Sequence, residues 1–271
     1  MSRVLVFGGD GMLGHQLLRR LGARHEVAAS VRSDADVRDE AAVLRVLRRF
    51  RPQVVVNAAG IVKQRLDAEA AATAIEVNAA FPHRLARLCE PLGARVIHFS
   101  TDCVFSGARG GYADTDLPDA RDLYWRSKLL GEPEYAHCLT LRVSMIGREL
   151  RRKLGLLEWF LAQSTPVRGY RRAIFSGFTT PEMARIVERI VDTGRPAAGL
   201  YHVSAAPIAK YDLLQLVKAQ FGLQTEIRAD DEVRIDLSLD SARFRGETGY
   251  QPPDWPTMIA ELARETRAVH A

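Results

Sequence analysis

The sequence predicts an α/β fold built on a doubly wound parallel sheet. Short, nearly uninterrupted apolar runs alternate with helical segments through the first half of the chain. Strands of this kind lie in a parallel sheet with helices on both faces, because a helix must cross over between successive strands. The length of 271 residues and the hydrophobic fraction of 47% suit one large domain or two small ones.

The first half of the chain predicts five strands separated by helices. The predicted strands are Arg3–Phe7, Glu26–Val31, Gln53–Asn57, Arg95–Ser100 and Leu139–Val143. The predicted helices are Met12–Leu21, Glu40–Phe50, Thr73–Cys89 and Leu123–Glu132. Each helix is placed by apolar residues at helical spacing or by a preceding turn, as in Glu40–Phe50.

The alternation weakens after Gly147, where we predict a smaller lobe. Its predicted helices are Leu154–Ala162, Thr180–Asp192, Tyr211–Phe221 and Trp255–Ala268, and its predicted strands are Ala173–Phe175, Leu200–Val203 and Glu226–Arg228. We therefore divide the chain into a larger α/β domain, residues 1–147, and a smaller α/β lobe, residues 148–271. Some segments of that lobe are expected to return to the main sheet.

Charge and composition exclude several classes of protein. The net charge is +5, and 33 arginines against 5 lysines are scattered along the chain rather than clustered with aromatic residues. This argues against nucleic-acid binding. No run approaches the roughly 18 apolar residues of a membrane span, and Val4–Phe7 is too short for a signal peptide. Three cysteines without metal-ligand spacing predict a cytoplasmic protein without a metal site.

A glycine-rich turn, Gly8–Gly14, follows the first predicted strand and precedes a helix. Glycines at 8 and 11 allow a diphosphate to approach the backbone and the positive end of the helix dipole. Gly14 allows the helix to pack close to the strand. In this position the pattern predicts a dinucleotide site, and a purely structural tight turn is the alternative. Residues 1–147 are thus the predicted dinucleotide-binding domain, and residues 148–271 are expected to be mainly a substrate-binding lobe.

The end of the second predicted strand bears on the choice of cofactor. An acidic residue there would bind ribose hydroxyls, as in NAD sites. This chain has Arg32, flanked by Ser30 and Ser33, which favours a 2′-phosphate and hence NADP. Asp36, followed by Val37, either hydrogen-bonds the adenine or caps the next helix.

Tyr124 and Lys128 stand four residues apart in a predicted helix and therefore share a face. A lysine ammonium near a tyrosine is expected to lower the tyrosine pKa. Such a tyrosine can protonate a ketone oxygen while hydride reaches the carbon. Ser100 and Thr101 end the fourth predicted strand, and a hydroxyl there can bind the same oxygen.

These segments carry a resemblance to a known family. The chain resembles the extended short-chain dehydrogenase/reductases and is most similar to their dTDP-4-dehydrorhamnose reductase group. The matching segments are Gly8–Gly14, Asn57–Gly60, Val77–Ala79, Ser100–Gly107, Tyr124–Glu132 and Leu141–Ser144, with weaker matches at Gly199–Ser204 and Leu239–Phe244.

The resemblance implies a Rossmann sheet, an NADP(H) cofactor with NAD(H) as the alternative, and reduction of a nucleoside-diphosphate 4-keto-6-deoxysugar for polysaccharide biosynthesis. It implies a catalytic triad of Thr101, Tyr124 and Lys128. The candidate cofactor-binding residues are Gly8, Gly11, Met12, Leu13, Gly14, Arg32, Asp36, Val37, Ala58, Ala59, Gly60, Asn78, Ser100, Tyr124 and Lys128. The candidate substrate-binding residues are Lys63, Cys103, Val104, Phe105, Arg148 and Arg172.

The sequence departs from the family pattern at Cys103, where the family has tyrosine, and in residues 148–160. The reductase chemistry is therefore better supported than the rhamnose assignment. A sugar-nucleotide epimerase or dehydratase stays open, as does a non-catalytic NADP-binding subunit that serves a partner enzyme. A homodimer is also expected.

Overall fold

The computed structural model describes residues 1–61, 68–151 and 153–270. Its centre is a parallel sheet whose strands, within those residues, are β1 Arg3–Phe7, β2 Glu26–Ser30, β3 Val54–Asn57, β4 Arg95–Ser100, β5 Cys138–Arg142 and β10 Gly199–His202. They run in the order β10-β5-β4-β3-β1-β2. The predicted doubly wound α/β fold is confirmed.

Helices connect these strands and cover both faces of the sheet. They are α1 Gly14–Leu21, α2 Glu40–Phe50, α3 Ala68–Ala74, α4 Phe81–Cys89, α5 Leu123–Leu130, α6 Leu156–Leu161, α7 Thr180–Thr193, α8 Lys210–Phe221, α9 Ala242–Thr248 and α10 Trp255–His270. None of the helices in the described ranges is long and apolar enough to cross a membrane.

Alternate residues of the first strand show why helices are needed on both faces. Val4 and Val6 belong to a core formed with α1, α7 and α10. Leu5 and Phe7, which point the opposite way, pack in a second core with α2 and α4. All four residues are at most 1% exposed. A strand with apolar side chains on both faces is therefore stable only inside such a three-layer arrangement.

The second half adds β10 to the open edge beside β5 and forms smaller sheets above the strand ends. Their strands are β6 Met145–Ile146, β7 Val167–Tyr170, β8 Ala173–Phe175, β9 Phe178–Thr179, β11 Ile208–Ala209, β12 Ile227–Asp230 and β13 Ile235–Asp236. They pair as β11-β8-β13, β12-β7 and β6-β9. The boundary of a separate substrate lobe at residue 148 stays a prediction.

The structure differs from the predicted helix Thr73–Cys89. In place of one α-helix, a π-helical stretch, Ile75–Ala80, joins α3 to α4. Pro82 stands in the first turn of α4, directly after the π-helical stretch, and has no N–H to donate within this continuous helical run. Periodicity alone does not distinguish a π-helical stretch from the α-helix around it.

The order of the strands creates a crevice at one edge of the sheet. From β1 the chain moves outward to β2 and then crosses back to β3, on the other side of β1. The loops that follow β1 and β3 therefore leave in opposite directions. Ligands of open α/β sheets bind at such a switch point, outside the carboxyl ends of the strands.

Candidate active site

The glycine turn lies at this switch point, and its geometry fits a dinucleotide diphosphate. Gly8 has φ +79°, and a Cβ there would lie 2.8 Å from the Ala59 nitrogen. A Cβ on Gly14 would overlap the Gly8 carbonyl oxygen, so α1 begins in direct contact with the turn. Within the described part of the chain, a Cβ on Gly11 would meet only the Gly8 oxygen, at 3.1 Å. The turn thus presents bare backbone and the N-terminus of α1 on its open side.

Two predicted contacts in this turn need qualification. Leu13 is 5% exposed and belongs to the core, so only its backbone can face a cofactor. Met12 is half-buried and remains a candidate.

The segment Asn57–Gly60 forms the other wall of the crevice, and Asn78 braces it. The Asn78 side chain accepts a hydrogen bond from the Ile61 nitrogen at 2.9 Å and donates to the Ile61 oxygen at 3.0 Å. It also donates to the Ser127 hydroxyl of α5 at 3.2 Å. Because Asn78 is 1% exposed and so bonded, its assignment as a cofactor contact is wrong. It positions Ala58, Ala59 and Gly60, which remain candidates.

At the predicted adenosine end, Arg32 is exposed and Asp36 is paired with Arg38. The Arg32 side chain is 73% exposed and lies 3.7 Å from Asp36. Arg38 donates to both Asp36 carboxylate oxygens, at 2.7 to 3.2 Å, and these hydrogen bonds hold the Asp36 pKa at about 2. The expected adenine contact of Asp36 is therefore opposed by Arg38, which the sequence analysis did not single out. Val37 is half-buried, and its carbonyl accepts a hydrogen bond from Arg84 at 2.8 Å.

The predicted triad comes together beside the end of β4. Thr101 follows β4 directly, and α5, which carries Tyr124 and Lys128, packs on the 3₁₀ turn Asp102–Val104. Lys128 donates from Nζ to the Phe99 carbonyl oxygen at 2.6 Å. The Asp122 carboxylate caps α5 by accepting from the Trp125 nitrogen at 3.1 Å, which fixes the start of the helix.

Burial, rather than Lys128, dominates the titration of Tyr124. The sequence predicted a lowered tyrosine pKa, and this is wrong for the structure. Burial raises the Tyr124 pKa because it disfavours the phenolate, and the nearby Cys103, Asp102 and Asp122 raise it further. Burial also lowers the Lys128 pKa to about 8. The phenol consequently keeps its proton at neutral pH, as a general acid must.

Thr101, Asp102 and Cys103 form a small polar cluster next to Tyr124. The Thr101 hydroxyl donates to Asp102 Oδ1 at 3.1 Å and accepts from the Cys103 nitrogen at 3.1 Å. Burial raises the pKa of the Cys103 thiol, and the Asp102 charge raises it further, so the thiol stays protonated. Cys103 is therefore a neutral neighbour of the reacting groups and not a nucleophile.

Polar residues that were not predicted from the sequence surround this cluster. Burial raises the Asp102 pKa, while a hydrogen bond with Ser144 and attraction to Lys210 oppose the rise. Lys210 begins α8, so the second half of the chain contributes charge to the site. With only five lysines beside 33 arginines, the choice of lysine at 128 and 210 was the available signal.

Val104 and Phe105 were predicted to bind substrate, and the structure contradicts this. Both residues are 0% exposed and pack in a core with Tyr112 and Leu239. The Phe105 ring stacks on the Tyr112 ring with centroids 4.1 Å apart. Neither side chain can touch a ligand without unpacking this core.

The other predicted substrate ligands fare differently. Lys63 lies outside the described residues. Arg148 donates from Nε to Glu158 Oε1 at 2.5 Å, and that carboxylate is 3% exposed. This bond uses one of the five N–H donors of the guanidinium, so a contact of Arg148 with a diphosphate stays a prediction. Arg172 is exposed in the turn between β7 and β8, where substrate binding stays a prediction.

Known proteins resemble the chain in sequence and in fold. A dTDP-4-dehydrorhamnose reductase of Aggregatibacter actinomycetemcomitans is 26% identical over 289 aligned residues, which cover 97% of this chain and 98% of the relative. A dTDP-4-dehydrorhamnose reductase of Mycobacterium tuberculosis is 38% identical over 137 residues, 48% of this chain and 44% of the relative.

The fold matches a crystal structure of dTDP-4-dehydrorhamnose reductase from Bacillus anthracis in complex with NADP. The TM-score is 0.85 at 20% identity, and the match covers 98% of this chain and all of the other. The family model described as RmlD substrate binding domain matches residues 2–267, nearly the whole sequence. The chain therefore belongs to the RmlD substrate binding domain family.

Proposed function

We propose that the protein reduces the keto group of a nucleoside-diphosphate 4-keto-6-deoxysugar with NADPH, and with NADH as the alternative donor. The observation that carries this proposal is the meeting of a protonated Tyr124, a buried Lys128 and Thr101 at the carboxyl end of β4. The family and the activity named for the two reductase relatives support the same reaction.

The residues of the crevice suit the cofactor. Gly8, Gly11 and the N-terminus of α1 would hold the diphosphate, and Arg32 would bind the 2′-phosphate that distinguishes NADP. Ala58–Gly60 would line the opposite wall. The reduced nicotinamide, when bound, supplies hydride to the keto carbon.

The protein's own residues complete the reduction by supplying a proton. Tyr124 donates its phenolic proton to the substrate oxygen, so that a carbonyl gains hydride and proton and becomes an alcohol. Thr101 can turn its hydroxyl from Asp102 to the same oxygen and stabilise the charge that develops there. The Lys128 ammonium favours the phenolate that remains, since opposite charges attract.

The decisive experiment follows NADPH absorbance with a panel of nucleoside-diphosphate 4-keto-6-deoxysugars. Native protein should oxidise one equivalent of NADPH per equivalent of sugar. Tyr124→Phe should lower the rate about 10²- to 10⁴-fold while NADPH binding persists, because only the proton donor is lost. Tyr135→Phe, a change at a 47% exposed tyrosine, is the matched control and should retain the native rate.

Sugar conversion without net NADPH oxidation would contradict the reductase and favour an epimerase. Tight NADPH binding without conversion of any sugar would favour the non-catalytic subunit. Location in the cytoplasm and a homodimer remain part of this proposal. The three cysteines are free, as expected in a reducing compartment.

A further inference from the structure

The last residues of three neighbouring strands form a row beside the triad. Ser100 ends β4, Arg142 ends β5 and His202 ends β10. The parallel register pairs Ser100 with Arg142 and Arg142 with His202. Residues paired in this way point to the same face of a sheet. The row therefore lies one residue before Thr101.

Glu132, two residues beyond the end of α5, is clamped onto this row. Arg142 donates from Nε to Glu132 Oε1 at 2.9 Å and from its terminal nitrogen to Oε2 at 2.8 Å. The Ser100 hydroxyl donates to Glu132 Oε1 at 2.5 Å. The side chains of Arg142 and Glu132 are 5% and 4% exposed. Such a two-point contact fixes the carboxylate in position and orientation.

His202 holds the far side of Arg142. Its Nε2 lies 3.3 Å from a terminal Arg142 nitrogen, and its Nδ1 lies 2.9 Å from the Tyr112 carbonyl oxygen. A guanidinium can only donate, so Nε2 accepts and the proton resides on Nδ1. Burial lowers the His202 pKa, which keeps this ring neutral. The Arg142 guanidinium also lies over the Phe105 ring, 5.5 Å from its centre.

The contacts of Glu132 with Ser100 and Arg142 are connected to the proposed catalytic groups through both β4 and α5. At the end of β4, Phe99 accepts a hydrogen bond from Lys128, and the next residue, Ser100, donates one to Glu132. Thr101 follows directly in the chain. Glu132 is also four residues beyond Lys128. Its charge raises the Lys128 pKa against the larger opposing effect of burial.

We propose that Glu132 is a positioning residue for the reduction: clamped by Arg142, it locks α5 to the end of β4 and keeps its negative charge next to Lys128. Among the described residues, the charged or titratable groups that face this carboxylate are Lys128 from α5, Arg142 from β5 and His202 from β10, and His98 of β4 faces Lys128. This inference rests on the proposed function for its kinetic consequences. Its electrostatic part concerns the protein alone.

The first test measures the Lys128 titration directly. The chain has five lysines, so ¹³C/¹⁵N-lysine labelling gives an NMR spectrum simple enough to titrate, and Lys128→Arg assigns the signal. Native Lys128 should titrate near pH 8. Glu132→Gln should move that midpoint down by about one pH unit, because the attraction that favours the ammonium is removed.

Glu188→Gln is the matched control. Glu188 is likewise a buried carboxylate that accepts from an arginine, Arg20, at 2.6 and 2.8 Å, but it lies on α7. Glu188→Gln should leave the pH midpoint of the Lys128 titration unchanged. If Glu132→Gln fails to fold, the double variant Glu132→Gln/Arg142→Met removes both charges, and the midpoint should still fall. An unchanged midpoint in the folded variant would overturn the proposal.

The second test is the pH dependence of kcat. If Lys128 must be charged, native activity falls as pH rises through about 8, and the Glu132→Gln limb falls about one unit earlier. Relative to the native protein, kcat of Glu132→Gln should be about tenfold lower near pH 9 and only slightly lower near pH 6, with KM for NADPH little changed. An equal loss at every pH would indicate a merely structural role and overturn the proposal. A shifted Lys128 midpoint without turnover of any sugar would instead count against the reductase, with the electrostatic role intact.

Discussion

The ends of the central strands and the small β12-β7 sheet contain the same types of charged residue in opposite environments. Near Ser100, the side chains of Arg142 and Glu132 are almost fully buried and are joined by two hydrogen bonds. Directly after the two strands of the small sheet, Arg171 and Asp231 form a pair in which both side chains are about half exposed. Water screens the attraction between Arg171 and Asp231. Arg142 and Glu132 are shielded from water, so each must keep the other as its charged hydrogen-bond partner. Burial therefore decides which arginine–carboxylate pairs can position a site.

The largest difference should appear in unfolding experiments. Arg142→Met leaves Glu132 buried without its charged partner and should lower the free energy of unfolding by about 3–5 kcal/mol. Arg171→Met, the matched change at the exposed pair, should alter it by less than about 0.5 kcal/mol. Denaturant titration of both variants measures the contrast. Equal losses would mean that burial does not separate the two regions.

A smaller effect is expected at Arg32, the exposed arginine that we propose binds the 2′-phosphate of NADPH. Arg32→Ala should weaken the preference for NADPH over NADH about tenfold, because a charge-assisted contact to the 2′-phosphate is lost. The ratio of kcat/KM values for the two cofactors measures this preference. Arg168→Ala, at another exposed arginine, which pairs with Asp230 on the small sheet, should leave the ratio unchanged. A native ratio in Arg32→Ala would show that other groups select the cofactor.

The smallest effect concerns a glycine outside the crevice. Gly246 lies within α9 without a positive φ. Apart from its chain neighbours and the backbone of α9, no atom of the described residues lies within 4 Å of the place that an alanine methyl would occupy. Gly246→Ala should therefore raise the free energy of unfolding by about 0.5–1 kcal/mol. Gly194→Ala has equal space but a φ of +69° and should lower it by about 1 kcal/mol. Thermal melts compare the two, and a destabilised Gly246→Ala would contradict the expectation.

The two halves of the molecule also differ in how far the sequence predicted them. The helix Glu40–Phe50 and the strand Arg95–Ser100 were predicted with the observed bounds, because long periodic segments carry a strong signal. The two-residue strands β6, β9, β11 and β13 were missed. So short a strand has no alternation to recognise, and its pairing depends on distant chain segments.

The candidate site shows the same division. The glycine turn, Thr101, Tyr124 and Lys128 were predicted, because each stands in a local pattern with a chemical purpose. The errors at Asn78, Val104 and Phe105 arose because burial and hydrogen-bond partners are not visible in a local pattern. The row of Ser100, Arg142 and His202 spans strands that are distant in sequence, so only the register reveals it.

The sequence by itself determined the fold class, the place of the crevice and the types of residue that the reduction requires. Apolar periodicity, a glycine turn and a tyrosine–lysine spacing are properties of neighbouring residues, and local chemistry is enough to interpret them. The tertiary structure decided the direction of the Tyr124 pKa shift, the contact of Glu132 with Arg142 and the pairing of Arg148 with Glu158. Those depend on which groups are removed from water together, and that is a property of the packed chain.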